Sequence, residues 1–69
     1  MFSYSIRSED IPYLLTASSK GDIESVKAII DSGGNPNTED GNKVTALMYA
    51  SRKNQVEVAR YLISKGAEV

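Results

Sequence analysis

The stretch Thr45-Ala46-Leu47-Met48-Tyr49-Ala50-Ser51-Arg52-Lys53-Asn54-Gln55-Val56-Glu57-Val58-Ala59-Arg60-Tyr61-Leu62-Ile63-Ser64-Lys65-Gly66-Ala67 decides the fold. It reads as two short amphipathic helices joined by a tight turn and closed by a glycine. Shifted back by 33 residues it nearly reproduces itself: Gly66 falls on Gly33, Leu47 on Leu14, Ala50 on Ala17, Ser51 on Ser18, Lys53 on Lys20, Glu57 on Glu24 and Ile63 on Ile30. Conservative pairs fill the gaps, among them Val44 with Ile11, Met48 with Leu15, Val56 with Ile23, Arg60 with Lys27 and Leu62 with Ile29. A unit of this length cannot bury its apolar side alone and stacks on a copy of itself, so the period implies an all-α repeat solenoid.

Outward from that stretch, the rest of the chain falls into place. A first helix is expected from about Pro12 to Ser19, with Leu14, Leu15 and Ala17 on its apolar side and Ser8 or Asp10 as its N-cap. Gly21-Asp22 breaks it, and Asp22 caps a second helix whose Ile23, Val26, Ile29 and Ile30 share one face. Gly33 follows as a left-handed stop. Asn35 to Lys43 is dense in turn formers and reads as a projecting β-turn or hairpin between repeats. Thr45 caps the third helix, which runs to about Lys53, and Asn54-Gln55 makes the next turn. The fourth runs from about Val56 to Lys65 and is expected to pack Val56, Ala59, Leu62 and Ile63. Phe2, Tyr4 and Ile6 alternate with polar residues, which suggests an extended segment covering the first repeat or a frayed tail; covering is expected. The organisation is a covering segment at 1–9, a first repeat at 10–42 and a second at 43–69.

Composition narrows the chemistry. With 69 residues the core is small, and with no Cys and no His there is no disulfide, thiol nucleophile or imidazole base. A structural zinc site lacks its ligands for the same reason, and neither a metal nor another cofactor is expected. The Asn35–Gly41 run fails as a calcium loop, because Asp40 stands at the glycine position and Ala46 at that of the bidentate glutamate. Enzymatic function therefore has no supporting constellation. No apolar run approaches a membrane-spanning length, and Met1–Arg7 lacks a basic region followed by an apolar one. A cytoplasmic protein without membrane contact is expected. Net charge is −1, against nucleic-acid binding. The charge is uneven: residues 1–40 carry three cations against seven anions, and residues 41–69 carry five against two.

A helix, a turn, a helix and a projecting turn in 33 residues resemble the ankyrin repeat. Asp40, Thr45, Leu47, Ala50, Glu57, Val58, Leu62, Gly66 and Ala67 match that family's usual residues, as do Leu14, Ala17, Gly21, Val26, Gly33 and Asn37 in the first unit. The resemblance covers residues from about 10 to 69. Three departures stand out. Met48 replaces the family's histidine and Ala46 its proline, which puts the hydrogen bonds of that helix start in question. Lys43 sits at the hairpin glycine, where φ is often positive, so a strained or reshaped turn is expected. Pro12-Tyr13-Leu14-Leu15 is the atypical version of a terminal repeat.

Ankyrin-like proteins are binding scaffolds, and the resemblance implies a non-catalytic protein-binding module that uses its hairpin tip and concave inner helices. Mapped onto this sequence, the tip is Glu39, Asp40, Gly41, Asn42, Lys43 and Val44. The helices contribute Ser19, Lys20, Tyr49, Arg52 and Lys53, with Lys65 nearer the rim. Lys20, Lys43, Arg52, Lys53 and Lys65 would line one basic side suited to an acidic protein surface, although each is individually also an ordinary solvated charge. Tyr49 and Tyr61 are either anchors for a partner or packing between repeats. The alternative function is structural: an N-terminal part of a longer array, or a unit that self-associates through its uncapped second repeat, with head-to-tail stacking favoured by the uneven charge.

Overall fold

The computed structural model describes residues 10–68; the expected covering segment, with Phe2, Tyr4, Ile6 and Ser8, lies outside the described residues. Four helices follow one another: α1 (Asp10–Lys20), α2 (Ile23–Asp31), α3 (Ala46–Arg52) and α4 (Val56–Ser64). The inner helices α1 and α3 pack against each other, each outer helix packs on its own inner helix, and α2 meets α4. This is the expected all-α stack of two helix pairs.

Local chemistry sets each boundary. α1 begins at Asp10, earlier than expected, so Asp10 is inside the helix and buried. Pro12 does not prevent this, because the N–H groups of a first turn need no intrahelical acceptor. Asp22 caps α2, its Oδ1 accepting the Ser25 N–H at 3.3 Å and its Oδ2 the Ser25 hydroxyl at 2.8 Å. Thr45 caps α3 by accepting the Met48 N–H at 3.2 Å, so this helix start is satisfied without the family's proline or histidine.

All four described helices stop in the same way. A residue with positive φ follows each: Gly21 (79°), Gly33 (104°), Asn54 (60°) and Gly66 (99°). The next N–H then reaches back to the carbonyl five residues earlier: Asp22 to Ala17, Gly34 to Ile29, Gln55 to Ala50 and Ala67 to Leu62, at 2.8–2.9 Å. This is the Schellman arrangement, and asparagine is the side chain that best tolerates the conformation at the one stop lacking glycine.

Between the pairs, Glu39 and Thr45 form a single antiparallel bridge, and Lys43 closes the turn at φ 63°. The hairpin expected from the turn formers is thus present, with a lysine in the left-handed region.

Among the described residues the core comprises Leu14, Leu15, Ala17, Val26, Ile29, Ile30, Ala46, Leu47, Ala50, Val58, Leu62 and Ala67. One expectation is corrected. Val58 and Leu62 anchor α4, Ala59 is only partly buried, and Val56 and Ile63 are about half exposed. Ile63 is the counterpart of buried Ile30, and no helix pair among the described residues covers it. Val56 is the counterpart of Ile23, itself only partly buried.

Side chains also stitch the repeats together. Gln55 Nε2 donates to the Ser19 carbonyl at 3.1 Å, passing over Gly21, where a Cβ would collide with the Gln55 amide. The Asn37 amide donates to the Gly66 carbonyl at 3.3 Å and accepts the Glu68 N–H at 2.8 Å.

Candidate functional site

The hairpin tip is held by one carboxylate. Asp40 Oδ1 accepts the backbone N–H groups of Asn42 at 2.8 Å and Val44 at 3.0 Å, which fixes the turn around Gly41, Asn42 and Lys43. Its Oδ2 accepts the hydroxyl of Tyr49 from α3. That hydroxyl, the two N–H groups and the more distant Arg52 cation hold the Asp40 carboxyl below its ordinary value. In return the carboxylate pushes the Tyr49 phenol up. The tip and the inner helix are therefore one unit. Glu39, Gly41, Asn42 and Lys43 remain exposed at the tip, with Asp40 and Val44 half-buried beneath them.

Beside this unit, a groove of about 480 Å³ between α1 and α3 is lined by Pro12, Leu15, Thr16, Ser19, Lys20 and Tyr49. Lys20 ends α1, Arg52 ends α3 and Lys53 follows it, so like charges gather where two neighbouring helices finish. None of the three makes an ion pair with another described residue. Lys65 is placed elsewhere. It follows the outer helix α4, lies 3.8 Å from Asp31 and sits 5.6 Å from the Tyr61 ring centroid. Of the expected basic set, Lys20, Arg52 and Lys53 belong to the inner-helix ends and Lys65 does not. Tyr61 packs between repeats: its hydroxyl donates to Asp31, and burial together with that bond pushes its phenol up to about 12.

A second groove, of about 660 Å³, opens at the far end of the second repeat, with Leu47, Met48, Ser51, Arg52 and Ile63 among its walls. Internal symmetry gives its meaning. Leu15 and Ile30 are each 8% exposed under the second repeat, whereas their counterparts Met48 and Ile63 are each 48% exposed. Ser18 is buried and donates to the Leu14 carbonyl at 2.7 Å, while its counterpart Ser51 is exposed. The sequence contains this signal, since a 33-residue shift already pairs these positions and leaves the second repeat uncapped; which side chains wall the open end follows from the fold. Among the described residues no group of three His, Cys, Asp or Glu is placed to hold a metal ion, and no helix is long and apolar enough to cross a membrane.

The chain is similar in sequence to known proteins. The family model for ankyrin repeats (three copies) matches residues 5–69. A palmitoyltransferase AKR1 of Naumovozyma castellii is 43% identical over 54 residues, which is 77% of this chain and 7% of that protein. The potassium channel AKT2/3 of Arabidopsis thaliana is 36% identical over 81% of this chain and 7% of its own length. The palmitoyltransferase Hip14 of Drosophila melanogaster is 34% identical over 81% and 9%. The chain thus spans less than a tenth of these curated relatives. No solved structure matches it. With the periodic sequence, the stacked helix pairs and the family model in agreement, the chain belongs to the ankyrin repeat family.

Proposed function

We propose that the chain is a non-catalytic module that binds a partner protein through the hairpin tip at 39–44 and the inner-helix face, and that the contacted surface is acidic. Ankyrin repeats are in general protein-interaction modules, which supports the coarse reading. The observation that carries the finer one is the trio Lys20, Arg52 and Lys53, gathered at adjacent helix ends without an ion pair among the described residues. Asp22 and Asp40 offset Lys20 and Arg52 only at a distance, so the cations remain open to a partner carboxylate. The adjoining groove offers Pro12 and the Tyr49 ring to an apolar side chain. The absence of His and Cys supports a role without catalysis, and the absence of Cys fits a cytoplasmic setting.

The test is titration with a labelled glutamate-rich peptide carrying one central leucine, followed by fluorescence anisotropy at low and high salt. Binding that weakens with salt and is lost in Lys20→Glu/Arg52→Glu/Lys53→Glu, at unchanged helicity, is expected. Equal binding by the triple variant, or by a lysine-rich control peptide, overturns the reading.

A second reading, a stacking unit within a longer array, is favoured by the bare apolar pair Met48 and Ile63 at positions that are covered in the first repeat.

A further inference from the structure

We infer that Asp40–Gly41 at the hairpin tip is a site of spontaneous aspartate isomerisation, and that the Tyr49 hydroxyl on α3 holds the reaction in check. This chemistry needs no partner and acts on the tip's own backbone.

Among the Asp and Asn residues of the chain, only Asp40 precedes a glycine. The order matters because the backbone nitrogen of the following residue is the nucleophile, and a side chain on that residue hinders its approach. The fold does not ask for glycine at 41. Unlike Gly21, Gly33 and Gly66, Gly41 does not have positive φ, and a Cβ there would meet nothing within 4 Å. What the missing side chain leaves is an open nitrogen. Gly41 is exposed, and its N–H makes no hydrogen bond among the described residues.

The carboxyl is the guarded partner. Its Oδ1 accepts the Asn42 and Val44 N–H groups, and its Oδ2 accepts the Tyr49 hydroxyl. Attack needs two things that these donors oppose. The carboxyl must carry a proton so that one oxygen can leave as water, and Cγ must turn toward the Gly41 nitrogen. Hydrogen bonds to the ionised form keep it ionised and hold it in place. Two of the three donors belong to the turn and travel with Asp40. Only Tyr49 reaches in from another element, so its share of the check lasts as long as the tip lies on α3.

The reaction balances with water alone. A bond forms between the Gly41 nitrogen and Asp40 Cγ, and the Cγ–OH bond breaks. That hydroxyl leaves as water with the nitrogen's proton, and a five-membered succinimide remains. Water then opens the ring. Opening at the side-chain carbonyl restores aspartate. Opening at the other carbonyl leaves the backbone running through Cβ and Cγ, with the carboxylate directly on Cα. This isoaspartyl form lengthens the turn by one atom and moves the carboxylate away from the Asn42, Val44 and Tyr49 donors. The tip then loses its tie to α3.

The test is ageing at neutral pH and physiological temperature. The full chain and its Tyr49→Phe, Tyr61→Phe and Gly41→Ala variants are compared with the unfolded peptide 35–45. Isoaspartate at position 40 is scored by electron-transfer fragmentation mass spectrometry, with helicity read in parallel. The peptide should isomerise fastest and the parent chain slowest. Tyr49→Phe should run on the order of tenfold faster than the parent, the effect of one lost bond to a charged acceptor. Tyr61→Phe loses a comparable bond far from the tip and should age like the parent. Gly41→Ala should suppress the product at unchanged helicity. A peptide that forms no isoaspartate at 40 overturns the site. A parent as fast as the peptide, or a Tyr61→Phe variant as fast as Tyr49→Phe, overturns the check by Tyr49.

Discussion

The Tyr61 hydroxyl donates a 2.6 Å hydrogen bond to Asp31 Oδ1, joining the outer helix of the second repeat to the last residue of the outer helix of the first. Lys27 and Lys65 place their ammonium groups 5.8 and 5.6 Å from the Tyr61 ring centroid, which makes the contact a polar clamp around an aromatic ring. Tyr61→Phe keeps the ring and removes the bond. It should lower stability by about 0.5–1 kcal/mol, the low end for a charge-accepting bond because Asp31 is exposed. A shift in the urea midpoint with unchanged slope checks it.

The same clamp predicts an alkaline limit. The Tyr61 phenol titrates near 10 when unfolded and at about 12 in the fold, so its folded pKa is raised. Its contribution is complete below pH 10 and is lost as the pH rises toward 12. Thermal melts across this window should show a decline in the parent chain that is reduced in Tyr61→Phe.

At the acid end the sign reverses. Asp22 and Asp40 are both held below their ordinary value of 3.8, Asp22 chiefly by the Ser25 hydroxyl and Asp40 chiefly by the Tyr49 hydroxyl. Their contribution is present above the unfolded value and is lost as the pH falls through the lower folded values. Tyr49→Phe should reduce the acid-side loss and raise the Asp40 carboxyl pKa, read by carboxyl NMR titration.

Backbone geometry gives a pair of opposite substitutions. Lys43 is held at φ 63°, a region that costs a side-chain-bearing residue about 1–2 kcal/mol, so Lys43→Gly should stabilise the chain by roughly 0.5–1 kcal/mol. Gly21→Ala should destabilise it by about 1 kcal/mol or more, because φ is 79° and the new Cβ meets the Gln55 side chain. Denaturant midpoints for the two variants should move in opposite directions.

In the core, Leu62 is completely buried and α4 has little else to replace it. Leu62→Ala should cost about 2–5 kcal/mol, a large share of what so small a domain has. Loss of the cooperative helicity melt checks this.

The stacking period, the helix order and the stops were legible in the sequence because they rest on local chemistry: Gly33 and Gly66 end helices, and Asp22 and Thr45 start them. The face of α4 was not. Its nine residues Val56–Ser64 carry apolar side chains on nearly every side, so choosing between Val58 and Ile63 requires knowing which neighbours exist. The tip residues could be named from the resemblance, but the Tyr49–Asp40 bond that joins them to α3 depends on a tertiary approach that no spacing encodes. The resemblance puts Lys65 nearer the rim, on the same basic side as the inner-helix cations, and its place beside Tyr61 and Asp31 follows from the outer-helix packing.

The Asn37 clasp on Gly66 and Glu68 has a consequence for motion. The residue that receives the end of the second unit belongs to the loop that leaves the first, 29 to 31 positions earlier. Fraying at the C-terminal end frees the Asn37 amide, and loosening of the loop frees the Glu68 N–H. Amide protection at the two places should therefore rise and fall together, so that two units distant in sequence open as a single body.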